Sequence, residues 1–223
     1  MTIVVSNTVK KYAMNRKIRK PTQKRSLEKY NKIIEFAFKL FNEKGYYNTT
    51  TADIAKEADV ATGSVYSYFE DKKDIYIQVV KKINESFDCP TKNFWTKNRK
   101  KDLTDYDVFK TLINQFLKLM IRYHNFSNTF NNDMEALKLL DDDIKDLKSK
   151  LYERRIEIIR QTLNVLPYSY KSVKDMDTFI YYLYMLMDNL CHKIVYGPEF
   201  EDSDLYIDKC TQMLYVLFKD SIK

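Results

Sequence analysis

The chain has 223 residues, enough for one large domain or two small ones, and only three Gly and four Pro, too few turn formers for an all-β fold or a glycine-rich phosphate loop. No run approaches the ~18 apolar residues of a membrane span and no secretory core is visible; Cys89, Cys191 and Cys210, odd in number and without C-x-x-C spacing, fit free thiols in a reducing cytoplasm. The formal charge of +7 is local, because Met1 to Arg25 holds eight basic side chains and no acid, leaving 30 basic against 31 acidic, or −1, for everything after it.

Residues 1–22 therefore read as a basic arm, and helical periodicity organises the rest. A first helix is predicted from Gln23 to Lys44, with Thr22 as cap and Gly45 as stop, burying Leu27, Tyr30, Ile33, Ile34, Ala37, Phe38 and Phe41. After a turn at Gly45-Tyr46-Tyr47-Asn48, Thr50 and Asp53 have the spacing of a capping box, Ile54, Ala55 and Ala58 form an apolar face, and Asp59 is placed to end that helix in the left-handed conformation. A second short helix follows from about Thr62 to Phe69. Val65 with Tyr68 or Phe69 faces inward, which leaves Thr62, Gly63, Ser64 and Ser67 outward, small enough for a close approach to a groove. This is helix-turn-helix logic, in which the second helix enters the DNA major groove.

Asp71 and Asp74 predict the cap of a fourth helix, with Ile75, Val79, Ile83 and Phe87 on one face and an end at Cys89-Pro90, since Pro cannot supply a backbone N–H. Residues 91–101 read as a linker whose Phe94 and Trp95 dock on a helix beneath. A fifth helix starts at Asp105 with a stripe of Val108, Leu112, Phe116, Leu119 and Tyr123; a shorter one lies around Phe130, Met134, Leu137 and Leu140. The run from Asp141 to Leu166 is a long amphipathic helix, acidic first and basic later, closed by Pro167. Val173 to Val195 and a last helix capped by Ser203 are the most apolar part of the chain, with Tyr182, Met185, Ile207 and Val216 off the main stripe.

The pattern T-T-x-x-D-I-A-x-x-A-x-V-x-x-G-S-V-Y-x-Y-F-x-x-K, ending at Lys72 and preceded by IIEFAFKLFNEKGYYNTT, resembles the DNA-binding signature of the TetR (tetracycline-repressor-like) family, a likeness that covers roughly residues 23 to 87. Asp59 stands where that family usually has Gly, and Ala61 where it usually has a Ser or Thr cap. The resemblance implies an all-α fold, with a helix-turn-helix domain over 23–70 and an effector-binding and dimerisation domain over 71–223. It further implies a cytoplasmic regulator, most simply a repressor that binds a palindromic operator as a homodimer and is released by a small effector. The alternatives are an activator, or a protein that uses this fold mainly to bind a protein partner. Thr50, Thr51, Tyr66 and Lys72 match the family's backbone-contacting positions, and Thr62, Gly63, Ser64, Ser67 and Tyr68 its base-edge positions. None of the latter group is an Arg or Asn able to make a bidentate contact to G or A, so groove shape and thymine methyls carry the expected readout. Beside such a head, Arg16, Lys17, Arg19, Lys20, Lys24 and Arg25 are expected along phosphates or in the adjacent minor groove.

The resemblance places an effector pocket among the C-terminal helices, for which Phe109, Phe116, Met120, Tyr123, His124, Met134, Tyr152, Tyr182 and Met185 are the aromatic and Met-rich candidates, suited to an aromatic or amphipathic molecule. It places a four-helix dimer interface on the last two helices, at Phe179, Leu183, Leu186, Leu190, Met213 and Leu217. No catalytic constellation is visible and no cofactor is expected. His124 and His192, the chain's only histidines, each read as a helical residue without a carboxylate or Cys at metal spacing, and no metal site is expected.

Overall fold

A computed structural model describes residues 18–124, 126–197 and 203–223. Among the described residues there are nine helices: α1 (Lys24–Lys44), α2 (Thr51–Glu57), α3 (Thr62–Tyr68), α4 (Lys72–Asn98), α5 (Tyr106–Tyr123), α6 (Asn128–Leu140), α7 (Asp142–Asn164), α8 (Val173–Tyr196) and α9 (Ser203–Ser221). The chain divides into two compact units, residues 1–81 and 82–223, so α4 begins in the first and ends in the second. Part of the basic arm, including Arg16 and Lys17, lies outside the described residues.

The first unit is built on α1. Ile33, Ile34, Ala37, Leu40 and Phe41 are buried on one face, as helical spacing dictates, and meet Ile54, Ala55 and Ala58 of the α2 segment and Val65 and Phe69 around α3. Each of the larger side chains contributes roughly 1.5–3 kcal/mol by leaving water. Leu27 does not join them: it is exposed, one turn short of the point where α1 meets its neighbours. The N-cap of α1 is Gln23 rather than Thr22 and lacks a side-chain cap bond; Ser26 Oγ instead donates back to Gln23 O at 2.8 Å. Tyr76, fully buried at the start of α4, stands edge-on to Phe41 (5.4 Å between centroids) and to Tyr46 (5.1 Å).

In the second unit α8 packs against α5, α7 and α9, and α6 packs on α7. The C-terminus is tied back by Lys223 N–H donating to Ser169 O at 2.8 Å and Lys171 N–H donating to Ser221 O at 2.9 Å. Two expectations fail here. Helix α4 continues through Pro90 to Asn98, so residues 91–98 are not a linker. An internal Pro costs about 3 kcal/mol, and burial offsets it: Phe94 and Trp95 lie 5.4 and 5.3 Å from the ring of Phe116, and only a continuing helix brings both there. The short helix around Phe130, Met134, Leu137 and Leu140 is present as α6, with Leu140 exposed at its end, where Asp141 already turns the chain. Ser203 is the first residue of α9 and not its cap.

Candidate nucleic-acid interface and cavity

Helices α2 and α3 are joined by a turn whose chemistry is local. Thr50 Oγ1 accepts from Asp53 N–H at 3.1 Å, while Asp53 Oδ2 accepts from Thr50 N–H at 2.9 Å and from the Thr50 hydroxyl at 2.6 Å, a closed capping box. The Thr50 hydroxyl, and then its backbone N–H, hold the Asp53 carboxyl below the usual carboxylate range. Asp59 adopts φ 51°, among the described residues the one non-Gly position at positive φ, and swings the chain into α3. Ala61 is the N-cap of α3 and supplies no side-chain bond.

On α3, Val65 points into the core and Phe69 follows it at the C-cap, so the opposite face is presented to the outside. Thr62 and Gly63 are exposed, and Ser64, Tyr66, Ser67 and Tyr68 half-buried. A Cβ built on Gly63 would meet nothing within 4 Å, so no internal contact requires glycine there. Ser67 Oγ donates back to Gly63 O at 2.9 Å, and Ser67 O accepts from Arg19 N–H at 2.9 Å, which fastens the end of the arm to the far end of α3. Tyr66 Oη lies 2.8 Å from Thr51 Oγ1, at the start of α2. Tyr68 leans edge-on to Tyr30 at 6.1 Å, while Phe69 stacks on that ring at 4.9 Å. Lys72 Nζ donates to Tyr46 O at 2.7 Å and sits 4.2 Å above the Tyr46 ring, which fixes its ammonium near the surface turn at 45–48. Arg19, Lys20, Lys24 and Arg25 are all exposed.

In the second unit a cavity of about 80 Å³ opens among α4, α5, α7 and α8. Of the effector-pocket candidates, Phe109, Phe116 and Met120 line it; Tyr123, His124, Met134, Tyr152, Tyr182 and Met185 stand outside the lining. On α8 the reason is angular: Leu183 and Met187 face the cavity, and Tyr182 and Met185, about 100° and 200° from Leu183 or Met187 at 3.6 residues per turn, are more than a third exposed. The lining is apolar except for a few groups that sequence reasoning missed, among them Asp88, Arg155, Thr162, Tyr184 and Asp188. Arg155, Ile158, Ile159 and Thr162 recur on α7 at spacings of three and four, which is a legible stripe. Burial pushes the Tyr184 phenol up to about 12.

The residues proposed from sequence for a dimer interface also redistribute. Phe179, Leu183 and Leu190 are buried inside the unit, in contact with its own core, and so present no surface to a second chain. Leu186 and Leu217 are half-buried and Met213 is exposed. The exposed large apolar side chains of the last two helices, among the described residues, are Val173, Tyr181, Tyr182 and Met185 on α8 and Leu205, Tyr206, Met213 and Val216 on α9. Apart from Val173 in the first turn of α8, on each helix they fall within an arc of about 100° at 3.6 residues per turn.

The family described as bacterial regulatory proteins, tetR family, matches residues 33–79. The HTH-type transcriptional regulator HbdR of Aromatoleum sp. strain CIB is 46% identical over 61 residues, 27% of this chain and 27% of that protein. IcaR, the negative transcriptional regulator of the biofilm operon icaADBC in Staphylococcus aureus, is 51% identical over 51 residues, 23% of this chain and 27% of that one. The chain thus matches only about a quarter of the length of these relatives. Over longer spans the likeness is one of fold. A TetR-family structure from Mesorhizobium loti superposes with TM-score 0.70 at 16% identity, covering 88% of this chain and 97% of that one. FadR of Bacillus subtilis in complex with stearoyl-CoA gives 0.54 at 19% identity, over 83% and 97%. The multidrug binding protein EbrR complexed with ethidium gives 0.58 at 17% identity, over 83% and 98%.

Proposed function

We propose that this chain, which carries the N-terminal domain of the TetR family of bacterial regulatory proteins on the fold of that family, is a ligand-responsive DNA-binding repressor. The observation that carries the reading is the outer face of α3: Thr62 and Gly63 exposed, Ser64 and Ser67 beside them, and a glycine that nothing inside the head requires. Glycine is a poor helix former, and in the first turn of α3 nothing inside the head compensates for it, so its use is to be sought in what approaches from outside. Phosphate and sugar contacts come from Thr50, Thr51, Tyr66 and the exposed cations of the arm, with Lys72 held at the turn beside them.

The chain acts as a homodimer in the cytoplasm, so that two α3 helices meet successive major grooves about 34 Å apart. The exposed apolar faces of α8 and α9 supply the contact. The effector is an aromatic or amphipathic small molecule that enters the cavity and meets Arg155, Tyr184 and Asp188 at its polar edge. At about 80 Å³ the cavity is smaller than the roughly 150 Å³ that accommodates benzene in an engineered core. Binding therefore widens it and shifts α4, which contributes Phe87, Thr91 and Trp95 to the wall and runs on into the head. Repression is the sign stated for IcaR. Selection of bound sequences from random duplex DNA at ~150 mM salt tests the core of this reading: one palindromic sequence class is expected, and recovery of unrelated sequences at equal affinity would refute it.

A further inference from the structure

We propose that the second unit binds a divalent transition-metal ion through His124, Asp188 and His192. The chain has only two histidines, far apart in sequence, yet the fold brings their rings to 5.2 Å between centroids. Asp188, one helical turn before His192 on α8, completes a set whose ligand atoms all lie within 4.8 Å of one another. Sequence reasoning finds no carboxylate partner for either histidine; the i, i+4 pair Asp188/His192 is that partner, and His124 reaches it from the C-cap of α5.

The surroundings match what a metal requires of its ligands. His124 is buried, and its Nδ1 lies 2.8 Å from Met120 O, which can only accept; the proton therefore sits on Nδ1, and Nε2 carries the lone pair. The backbone at His124 is held in turn by Tyr196, whose hydroxyl donates to His124 O at 2.8 Å. On the carboxylate the two oxygens divide their partners. Oδ1 faces Arg155 Nη1 at 3.6 Å and Oδ2 faces His192 Nε2 at 4.0 Å, while Arg155 is itself anchored by donating to Asn84 Oδ1 at 2.9 Å.

Donors bonded tetrahedrally at about 2.1 Å stand roughly 3.4 Å apart, so closing the present set around an ion takes side-chain shifts of about an ångström. Two imidazoles and one carboxylate suit Zn²⁺, Co²⁺ or Ni²⁺ and not Mg²⁺ or Ca²⁺, which require oxygen donors, and three protein ligands leave a position open to water. Met120 and Asp188 also line the cavity, so the ion would stand at its edge.

The proposal does not depend on DNA binding and is tested without it. Full-length protein stripped with a chelator is titrated with Co²⁺ and followed by its visible d–d absorption. One saturating Co²⁺ per chain, displaced by Zn²⁺, is expected, with at least tenfold weaker binding in Asp188→Asn and in His192→Gln. These two half-buried positions are chosen because replacing the buried His124 invites misfolding, and far-ultraviolet circular dichroism verifies that both variants keep their helices. No d–d band in folded protein, a weak band of octahedral type, or a band unchanged in both variants would each overturn it.

Discussion

Tyr66 Oη and Thr51 Oγ1 stand 2.8 Å apart, so the middle of α3 is bonded to the first turn of α2 by two of the side chains proposed to contact phosphate. A neutral hydrogen bond of this kind contributes about 0.5–1.5 kcal/mol net, which makes Tyr66→Phe a mild lesion for folding. For operator binding it is larger if, as proposed, the phenol also serves as a phosphate donor. The expected result is a head destabilised by about 1 kcal/mol or less and an affinity about tenfold lower, equivalent to about 1.4 kcal/mol. Thermal melts and fluorescence anisotropy on the same preparation separate the two effects.

Gly63 gives the sharpest contrast between stability and function. Its Cβ space is open, so Gly63→Ala removes a poor helix former without a clash and should raise head stability, by less than the ~0.5–1 kcal/mol of a helix interior because Gly63 lies in the first turn of α3. The same methyl group projects from the face proposed to approach DNA and should weaken operator binding by about tenfold or more. A variant that melts higher and binds equally well would show that α3 does not make close groove contact at this position.

Asp59 sits at φ 51°, a conformation that costs an L-residue about 1–2 kcal/mol and glycine almost nothing. Its carboxylate offsets little of this, being almost fully exposed and 3.9 Å from Lys32 Nζ. Asp59→Gly should therefore stabilise the head by about 0.5–1 kcal/mol after the added freedom of the unfolded chain is counted, seen as a rise in the denaturation midpoint. A fall would mean that the exposed carboxylate contributes more than its geometry indicates.

What the sequence made legible was local. The Thr50/Asp53 box, the left-handed Asp59 and the inward Val65 are consequences of residues a few positions apart, and each has its expected geometry. What it hid was tertiary. Pro90 reads as a stop because nothing nearby reveals that Phe94 and Trp95 have Phe116 to pack on. Phe179 and Leu183 read as interface because apolarity does not state which side of α8 meets its own chain. His124 and His192 read as isolated because their proximity exists only once α5 and α8 are packed together.

Asp53 gives the head a defined pH response. Its folded pKa lies below the 3.8 of a free carboxyl because Thr50 donates to the ionised form, so the stabilisation it confers is complete well above that value and is lost as the pH falls through the lower folded pKa. Asp53→Asn keeps the shape but removes the charge, and Asn is a poorer acceptor from two donors. The variant should be less stable at pH 7 and should lose less additional stability on acidification to pH ~3. Parallel acid-limb slopes for the two proteins in chemical denaturation would exclude this role.

The exposed apolar faces of α8 and α9 give the last prediction, and the redistribution of the interface residues gives its control. Met213 and Val216 are 49% and 66% exposed, so Met213→Asp with Val216→Asp places charge on a surface a single chain leaves in water and should not disturb its fold. Against a second copy, the pair loses roughly 1.5 kcal/mol of burial per side chain and adds desolvation of two carboxylates in each subunit. Dimer affinity should fall at least a hundredfold, since every 1.4 kcal/mol is about tenfold, and sedimentation equilibrium should then find a helical monomer with weakened operator binding. Leu183→Asp acts differently: that side chain is buried in its own unit, so the expected outcome is unfolding of the chain and not a clean monomer. A Met213/Val216 variant that remains dimeric would move the subunit contact to another face.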